Sequence, residues 1–408
     1  MVTRGDPYAP YYELIINGAT MNADFMKLVK GASAEDEAQF GSAVKFNLRY
    51  TQNYIGGVST DLMSLKVLSP GNLVVLRGGY GSDLKELGAG YITDLKPDYS
   101  ESAEPSVEVV CYDRLQGMSM NKSAKGEAWS KIRDSQVAVA IAQRNGLYAV
   151  EVDSATAWGV RKTPMNKLRG IQKRGISDLD YLKELAKLNS YDLYCRWHDK
   201  SKQFVLYFEP PTDRTKEVFE FVYGDGSVPM NLTENNGKAK AALLSFKPEF
   251  SLTSQFTKYQ VHSWNRDAMR AIDYTLSMDE FLKMKDDIKF SGLKADQRHK
   301  KTDDTSGADW RQKAFGETIE IISTKSFPTE REAKEYLIRH MKSTVRDFIK
   351  GTGKVTGCQY LQSRQVHRLS NLGAFFDGKY FMNRVTHKFD DSGYVCDLDV
   401  RKVMKELV

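Results

Sequence analysis

The chain opens and closes on the same constraint: short runs in which apolar and polar residues alternate, the period of a strand with one covered face. Near the end, Tyr394, Cys396, Leu398 and Val400 fall on one face and Asp397 and Asp399 on the other. Asp391-Ser392-Gly393 turns this run back on Lys379 to Phe389. A slip of one residue would carry the apolar set into water, so such a hairpin has one register. Near the start, Leu73 to Arg77, Ala89 to Leu95 and Ser106 to Tyr112 repeat the pattern, with Gly78, Gly79 and Gly81 supplying turns and Asp98 to Pro105 a polar surface loop. Both ends read as antiparallel β structure.

Between them the period changes. Val137, Ala138, Ile141 and Ala142 share one helical face, with Asp134 or Ser135 as cap and Gly146 at the far end. Ser177-Asp178-Leu179-Asp180 is the acidic form of a capping box, opening a second helix through Leu182, Leu185 and Ala186 to about Asn189. Leu193 to Trp197 and Gln203 to Phe208 read as a hairpin. Strand character returns from Leu244 to Trp264. The stretch 267–313, rich in Lys and Asp with little to bury, reads as a charged, mobile insertion. The longest helix follows: Thr329-Glu330-Arg331-Glu332 caps it, Ala333, Leu337, Met341, Val345 and Phe348 form its stripe, and Gly351 and Gly353 end it.

A chain of 408 residues exceeds what one core usually carries, so two or more domains are expected. Hydrophobic residues at 41%, with 21 Tyr and 19 Phe, exclude wholesale disorder. Fifty-nine Lys plus Arg against 53 Asp plus Glu leave +6, too little to name a polyanion as partner. Cys111, Cys195, Cys358 and Cys396 lie far apart and read as buried, reduced thiols. The N-terminus lacks the apolar stretch of a signal peptide, and no long apolar run occurs. Synthesis in a cytoplasm is therefore expected, with no membrane span.

The familiar catalytic patterns fail on inspection. His198, His262, His299, His340, His367 and His387 contain no i, i+4 pair for zinc, so no metal site is expected. Gly351-Thr352-Gly353-Lys354-Val355 imitates a phosphate loop, but Phe348 stands where its first glycine belongs and Val355 where a hydroxyl is needed. Gly79-Tyr80-Gly81 lacks the third glycine of a dinucleotide fingerprint, and no Gly-x-Ser-x-Gly occurs. The expectation is no enzyme and no cofactor. A cell-wall hydrolase with a carboxylate pair drawn from the many acids is the alternative. Arg161, Lys162, Lys167, Arg169, Lys173 and Arg174 lie in a stretch without an acid, a candidate basic contact patch for a protein neighbour or a polyanion; sequence-specific nucleic-acid binding is not expected.

Pro70-Gly71 is followed by an extended run to Gly79-Tyr80, then by Gly90 with the strand after it, and by Val109 to Asp113. Asp178 and Leu182 lie in the helix phrase Asp178-Leu179-Asp180-Tyr181-Leu182, and Gly378-x-Tyr380, Val385-x-His387 and Gly393-Tyr394 follow near the end. In this order the phrases resemble the late control D family, the tail hub proteins of contractile phages, related to the hub part of type VI secretion spike proteins; the helix phrase is similar to the family's Asp-x-aromatic-Leu helix. The chain departs from the family at Leu361 to Asn371, which has no Pro-Gly before the last strands.

The resemblance implies an α+β, mainly β chain: two antiparallel β-barrel-like tube domains with an α+β domain between them. Its boundaries are expected at 1–118 for the first tube domain, 119–239 for the middle domain, and 240–266 with 314–408 for the second tube domain. The last includes the long helix 329–350, and 267–313 is the charged insertion. It further implies a homotrimeric baseplate hub of a phage tail or related contractile injection system, located in the virion tail baseplate and joining a sixfold tail tube to a threefold spike. Implied partners are the tail tube protein, a separate central spike protein, since the chain stops soon after its last hairpin, other baseplate proteins and the tape measure protein.

Overall fold

A computed structural model describes residues 9–39, 41–49, 66–99, 104–120, 122, 127–129, 132–153, 158–163, 170–172, 175–189, 191–198, 200–210, 217–224, 240–253, 255–265, 268–283, 307–323, 327, 329–346 and 348–403. The fold is mainly β. Strands β1 (Pro10–Ile16), β2 (Ala19–Thr20), β3 (Val29–Glu37), β4 (Ala43–Arg49), β5 (Leu73–Tyr80), β6 (Asp83–Asp98) and β7 (Ser106–Tyr112) come first, with helix α1 (Ala23–Leu28) inside them and α2 (Arg114–Gly117) after them. The middle holds β8 (Glu127–Trp129), α3 (Asp134–Arg144), β9 (Glu151–Val152), β10 (Val160–Arg161), β11 (Gly170–Gln172), α4 (Asp178–Asn189), β12 (Asp192–His198) and β13 (Gln203–Glu209). There follow β14 (Glu220–Tyr223), β15 (Lys240–Phe250), β16 (Lys258–Asn265), β17 (Arg270–Ser277), α5 (Met278–Lys283), α6 (Gly307–Phe315), β18 (Ile319–Ile322) and α7 (Glu330–Arg346). The chain closes with β19 (Ile349–Thr356), β20 (Val366–Ser370), β21 (Gly378–Asp390) and β22 (Gly393–Lys402). Among the described residues no helix is long and apolar enough to cross a membrane.

One 13-stranded sheet contains two sets of six strands. Taken in chain order, the first set is β1, β3, β4, β5, β6, β7 and the second is β14, β15, β19, β20, β21, β22. Across the sheet both read first, fourth, fifth, sixth, third, second. In the second set β15 also pairs with β14, which closes a six-stranded barrel. The sets differ at their first strand, antiparallel to the fourth in one and parallel in the other.

The registers match as well as the order. Between second and third strands, one extra residue bulges at Lys30 in one set and at Leu244 in the other. Between fifth and sixth strands the extra residue is Thr93 in one set and Asn383 in the other. Aligning on the first bulge puts Val44 on Gly351, and aligning on the second puts Cys111 on Val400. Val44 and Cys111 are partners, and so are Gly351 and Val400, so the two alignments agree. The turn into the fourth strand also repeats: Gly71 N–H donates to Ile92 O and Arg364 N–H to Met382 O, each at 2.8 Å.

The two sets meet where β3 pairs antiparallel with β21, from Glu37 opposite Arg384 to Ala32 opposite Phe389. A continuous path through the sheet therefore runs β6-β7-β4-β3-β21-β22-β19-β15, fifth, sixth, third, second, twice over. Inward residues of both sets, among them Leu14, Phe46, Val109, Phe221, Tyr380 and Leu398, share one core. Helices α3 and α4 pack on the small sheet β12-β13-β10-β9 through the stripes the sequence shows, with Ile141, Leu182 and Leu185 against Leu206 and Phe208.

Several expected boundaries differ from the structure. Residues 220–223, within the segment read as the middle domain, form β14 of the barrel. Residues 258–265, read as part of the second tube domain, form β16, which pairs with β17 and β18 in a separate three-stranded sheet. Helix α7 covers that sheet: Ala333, Leu337, Met341 and Val345 bury against Tyr259, Val261 and Ile272. The charged stretch supplies β17, α5 and most of α6, while 284–306 lie outside the described residues. Alternation identifies a strand but not the sheet it joins, which depends on what covers its apolar face.

Two terminators also differ. Helix α7 ends at Arg346, and Gly351 and Gly353 lie within β19, where a Cβ at Gly351 would stand 2.7 Å from the Phe246 ring. Glycine there admits a crossing ring rather than stopping a helix. Helix α3 begins after Arg133, whose N–H donates to Gln136 Oε1 at 2.9 Å, so Asp134 and Ser135 lie inside the helix. Ser177 caps α4 as read, accepting from Asp180 N–H at 3.0 Å.

Tyr380 is fully buried, donates to Phe376 O at 2.7 Å and meets Phe246 edge-on at 5.4 Å. Tyr394 stacks on Phe389 at 4.1 Å. Removing a packed aromatic ring typically costs roughly 3 to 5 kcal/mol. Tyr380→Ala and Tyr394→Ala are each expected to lower the unfolding free energy read from urea curves by that amount; unchanged curves would place these rings outside the core.

Candidate assembly surface

The outward face of the continuous sheet is polar. From β3 to β15, Glu35, Lys45, Arg384, Lys388, Asp397, Asp399, Lys354 and Lys247 line an open groove of about 530 Å³ with Ser33, Thr386, Thr352 and Ser245. Strand alternation places them there while their neighbours fill the core. Arg384 on β21 reaches Glu35 at 3.1 Å and Glu37 at 3.6 Å on β3, and Asp399 at 3.5 Å on β22. Lys388 meets Asp397 at 2.6 Å. The pairs to Glu35 and Glu37 cross the joint between the two strand sets, and those to Asp399 and Asp397 tie β21 to β22 beside it. The five cations and three acids lie as far apart in the chain as Glu35 and Asp399. No sequence window could have grouped them.

Beneath that face the joint is aromatic. Tyr80, ending β5, donates to Gly357 O at 3.1 Å and lies 5.8 Å from Tyr394. His387 is buried, with Nδ1 2.7 Å from Tyr394 Oη and Nε2 3.0 Å from Leu361 O. Burial pushes the His387 imidazole down to about 4, against an opposing pull from Asp36 and the Leu361 carbonyl. Burial pushes His367, which accepts from Phe219 N–H, down to about 3. Both rings are neutral spacers at neutral pH.

The segment that departs from the family phrase is a keystone. Arg364 adopts φ 67, the left-handed region that Gly71 occupies with φ 88 at the matching turn. A side chain at this strained position earns its place by what it reaches. Arg364 Nη1 donates to Asp192 at 2.6 Å and Nη2 to Glu209 at 3.1 Å, while its guanidinium lies 4.2 Å over the Tyr194 ring. Gln39 donates to the other Asp192 oxygen at 3.0 Å, and Tyr194 donates to Glu209 at 2.7 Å. Burial works against the Arg364 charge, but Tyr194, Asp192 and Glu209 outweigh it and hold the guanidinium protonated. One buried cation thus ties the barrel to β12 and β13 of the middle sheet.

The other motif positions serve the scaffold. Pro70 and Gly71 form the turn into β5, and Gly79 and Gly90 lie in β5 and β6 where neighbouring backbone comes close. Asp113 caps α2, accepting from Gln116 N–H at 3.0 Å and Ser42 N–H at 2.7 Å; burial raises its carboxyl against those bonds. Asp178 accepts from Arg144 Nε at 2.9 Å and Asn145 Nδ2 at 2.7 Å, joining α4 to the end of α3, and Leu182 lies in the core between them. Gly378 starts β21 and Gly393 turns the last hairpin.

The proposed basic patch is only partly described. Arg161 faces Glu209 at 3.4 Å and Lys162 faces Asp153 at 2.8 Å, so both meet acids that lie outside the basic stretch. Lys167, Arg169, Lys173 and Arg174 lie outside the described residues. All four cysteines are free and buried, and burial raises Cys111 to about 12 and Cys358 to about 11.

The model of the Alg8 N-terminal domain family matches residues 59–391. The late control D family, to which the motifs point, is not the one that matches. No curated protein matches the chain in sequence. Among solved structures, the 43 kDa tail protein of prophage MuSo2 from Shewanella oneidensis is similar over 97% of this chain and 98% of its own, with 12% identity and a TM-score of 0.63. A tail protein from Neisseria meningitidis MC58 is similar over 98% and 99%, with 8% identity and a TM-score of 0.60. The E. coli c3393 protein, a component of the type VI secretion system with structural similarity to T4 tail proteins gp27 and gp5, is similar over 93% of this chain and 74% of its own, with 11% identity and a TM-score of 0.51. At these identities the likeness is one of fold.

Two outcomes follow from the buried groups. Arg364→Met strands two buried carboxylates and is expected to cost about 3 to 5 kcal/mol in urea unfolding. A near-neutral result would mean the cluster opens to water. In the unfolded chain both histidines protonate below about 6.5, but in the fold only near 4 and 3. Unfolding therefore takes up protons in between, and stability falls as pH drops from 6.5 toward 4. Thermal melts across that range should show the fall, and His387→Gln should make it shallower.

Proposed function

We propose that this chain, which belongs to the Alg8 N-terminal domain family, is a structural baseplate hub of a contractile tail or related injection particle. On this reading it is a homotrimer of the late control D kind with no catalytic step. Its two strand sets are two tube domains, and the α+β segment between them is braced by Arg364. Tail tube, central spike, other baseplate proteins and tape measure protein are its partners, and the virion tail baseplate is its place.

The single observation that carries this is the repeated path, fifth, sixth, third, second, with both bulges at the same rungs. A chain that presents one four-strand unit twice presents six such units as a trimer, which gives a sixfold face toward a tube while keeping a threefold axis for a spike. The full-length likeness in fold to tail proteins supports the same reading. A hydrolase reading gains nothing from the groove, where Glu35, Asp397 and Asp399 meet Arg384 or Lys388.

Native mass measurement of the full chain at high concentration, together with images of particles containing it, tests the proposal. Three copies around the tail axis are expected. One copy per particle, or a ring of another number, would overturn it.

A further inference from the structure

The internal joint is a template for a second one. Past Ile92, strand β6 pairs only with β7 among the described residues, because β5 stops opposite Tyr91. Past Leu243, strand β15 pairs only with β19 among the described residues, because β14 pairs with it no further than Tyr223 opposite Leu243. These open edges belong to a fifth and a second strand, and the internal joint seals one fifth strand, β21, with one second strand, β3. The first set supplies its second strand to the internal joint and keeps its fifth strand open; the second set does the reverse.

Resting on the trimer reading, we infer that the β6 edge of one copy pairs antiparallel with the β15 edge of a second copy, with Lys96 opposite Glu249 and Asp98 opposite Lys247. The register comes from the repeat. Thr386 opposite Glu35 becomes Lys96 opposite Glu249, and Lys388 opposite Ser33 becomes Asp98 opposite Lys247. Opposite charges meet at both rungs.

A slip of two residues either way sets Lys96 against Lys247 or Asp98 against Glu249, like charges directly across a ladder, which is destabilising. A slip of one turns the side chains to the wrong faces. In the matched register Leu95 meets Phe250, which is 45% exposed in the single chain. Pro97 and Pro248 share a rung; neither has an N–H, so that rung carries no hydrogen bond. Repeated around three copies, the pairing extends the polar groove face into a closed ring.

The test uses the full chain with Lys96→Cys and Glu249→Cys together, oxidised in the assembled state; the four native thiols are buried. Covalent dimers and trimers on a denaturing gel, reversed by reductant and absent from each single variant, are expected. Separately, Lys96→Glu and Glu249→Lys should each reduce the trimer fraction, and the double variant should recover it. A trimer by native mass that neither cross-links at this pair nor responds to the charge reversals overturns the interface and leaves the trimer standing. Absence of any trimer, in solution and in particles, overturns both.

Discussion

The structure depends on the backbone ladder between β3 and β21. This one joint makes a single sheet out of two six-strand sets, and everything on either side inherits its register. Bulges at Lys30 and Asn383 flank it, each displacing one residue, so the alternation of inward and outward side chains stays in phase from β6 to β15. The polar groove above and the aromatic packing below are two faces of that phase. Arg384 can reach Glu35, Glu37 and Asp399 because the ladder sets them around it.

A second constraint acts at right angles to the first. The buried Arg364 cation meets Asp192 and Glu209 from the middle sheet, and Gln39 joins it from just beyond β3. Buried charges of this kind add little net stability against an apolar packing of the same volume but are costly to break. They therefore fix where the middle segment sits on the barrel more than they hold it there. The left-handed turn at Arg364 points the guanidinium at this junction, whereas its counterpart Gly71 has nothing to carry.

Much of the secondary structure was legible. The closing hairpin, the two middle helices and the stripe of α7 follow from period and caps, because those signals are local. The placement of β16 and α7 was not: Tyr259 and Val261 alternate as any half-covered strand does, and their cover is α7, whose Ala333 lies far along the chain. Of the candidate site, Tyr80, His387 and Tyr394 were singled out by phrase and lie in or beside the core at the joint, and Tyr380, singled out likewise, lies in the core against Phe246. Asp397 and Asp399 were legible as the polar face of the last strand, whereas Lys45, Lys247 and Arg384 carried no local signal, being ordinary outward positions on separate strands.

The amino-acid sequence by itself determined the strands near both ends, the helices α3, α4 and α7 and the apolar face of each, and that its cysteines are buried thiols. Period, capping and polarity act over a few residues and need no partner. Only the tertiary structure decided that two strand sets share one order and one register. Backbone N–H and C=O groups build the ladder without regard to side chain, so Val44 can stand where Gly351 stands and Gly71 where Arg364 stands, leaving the repeat invisible in the letters and plain in the hydrogen bonds.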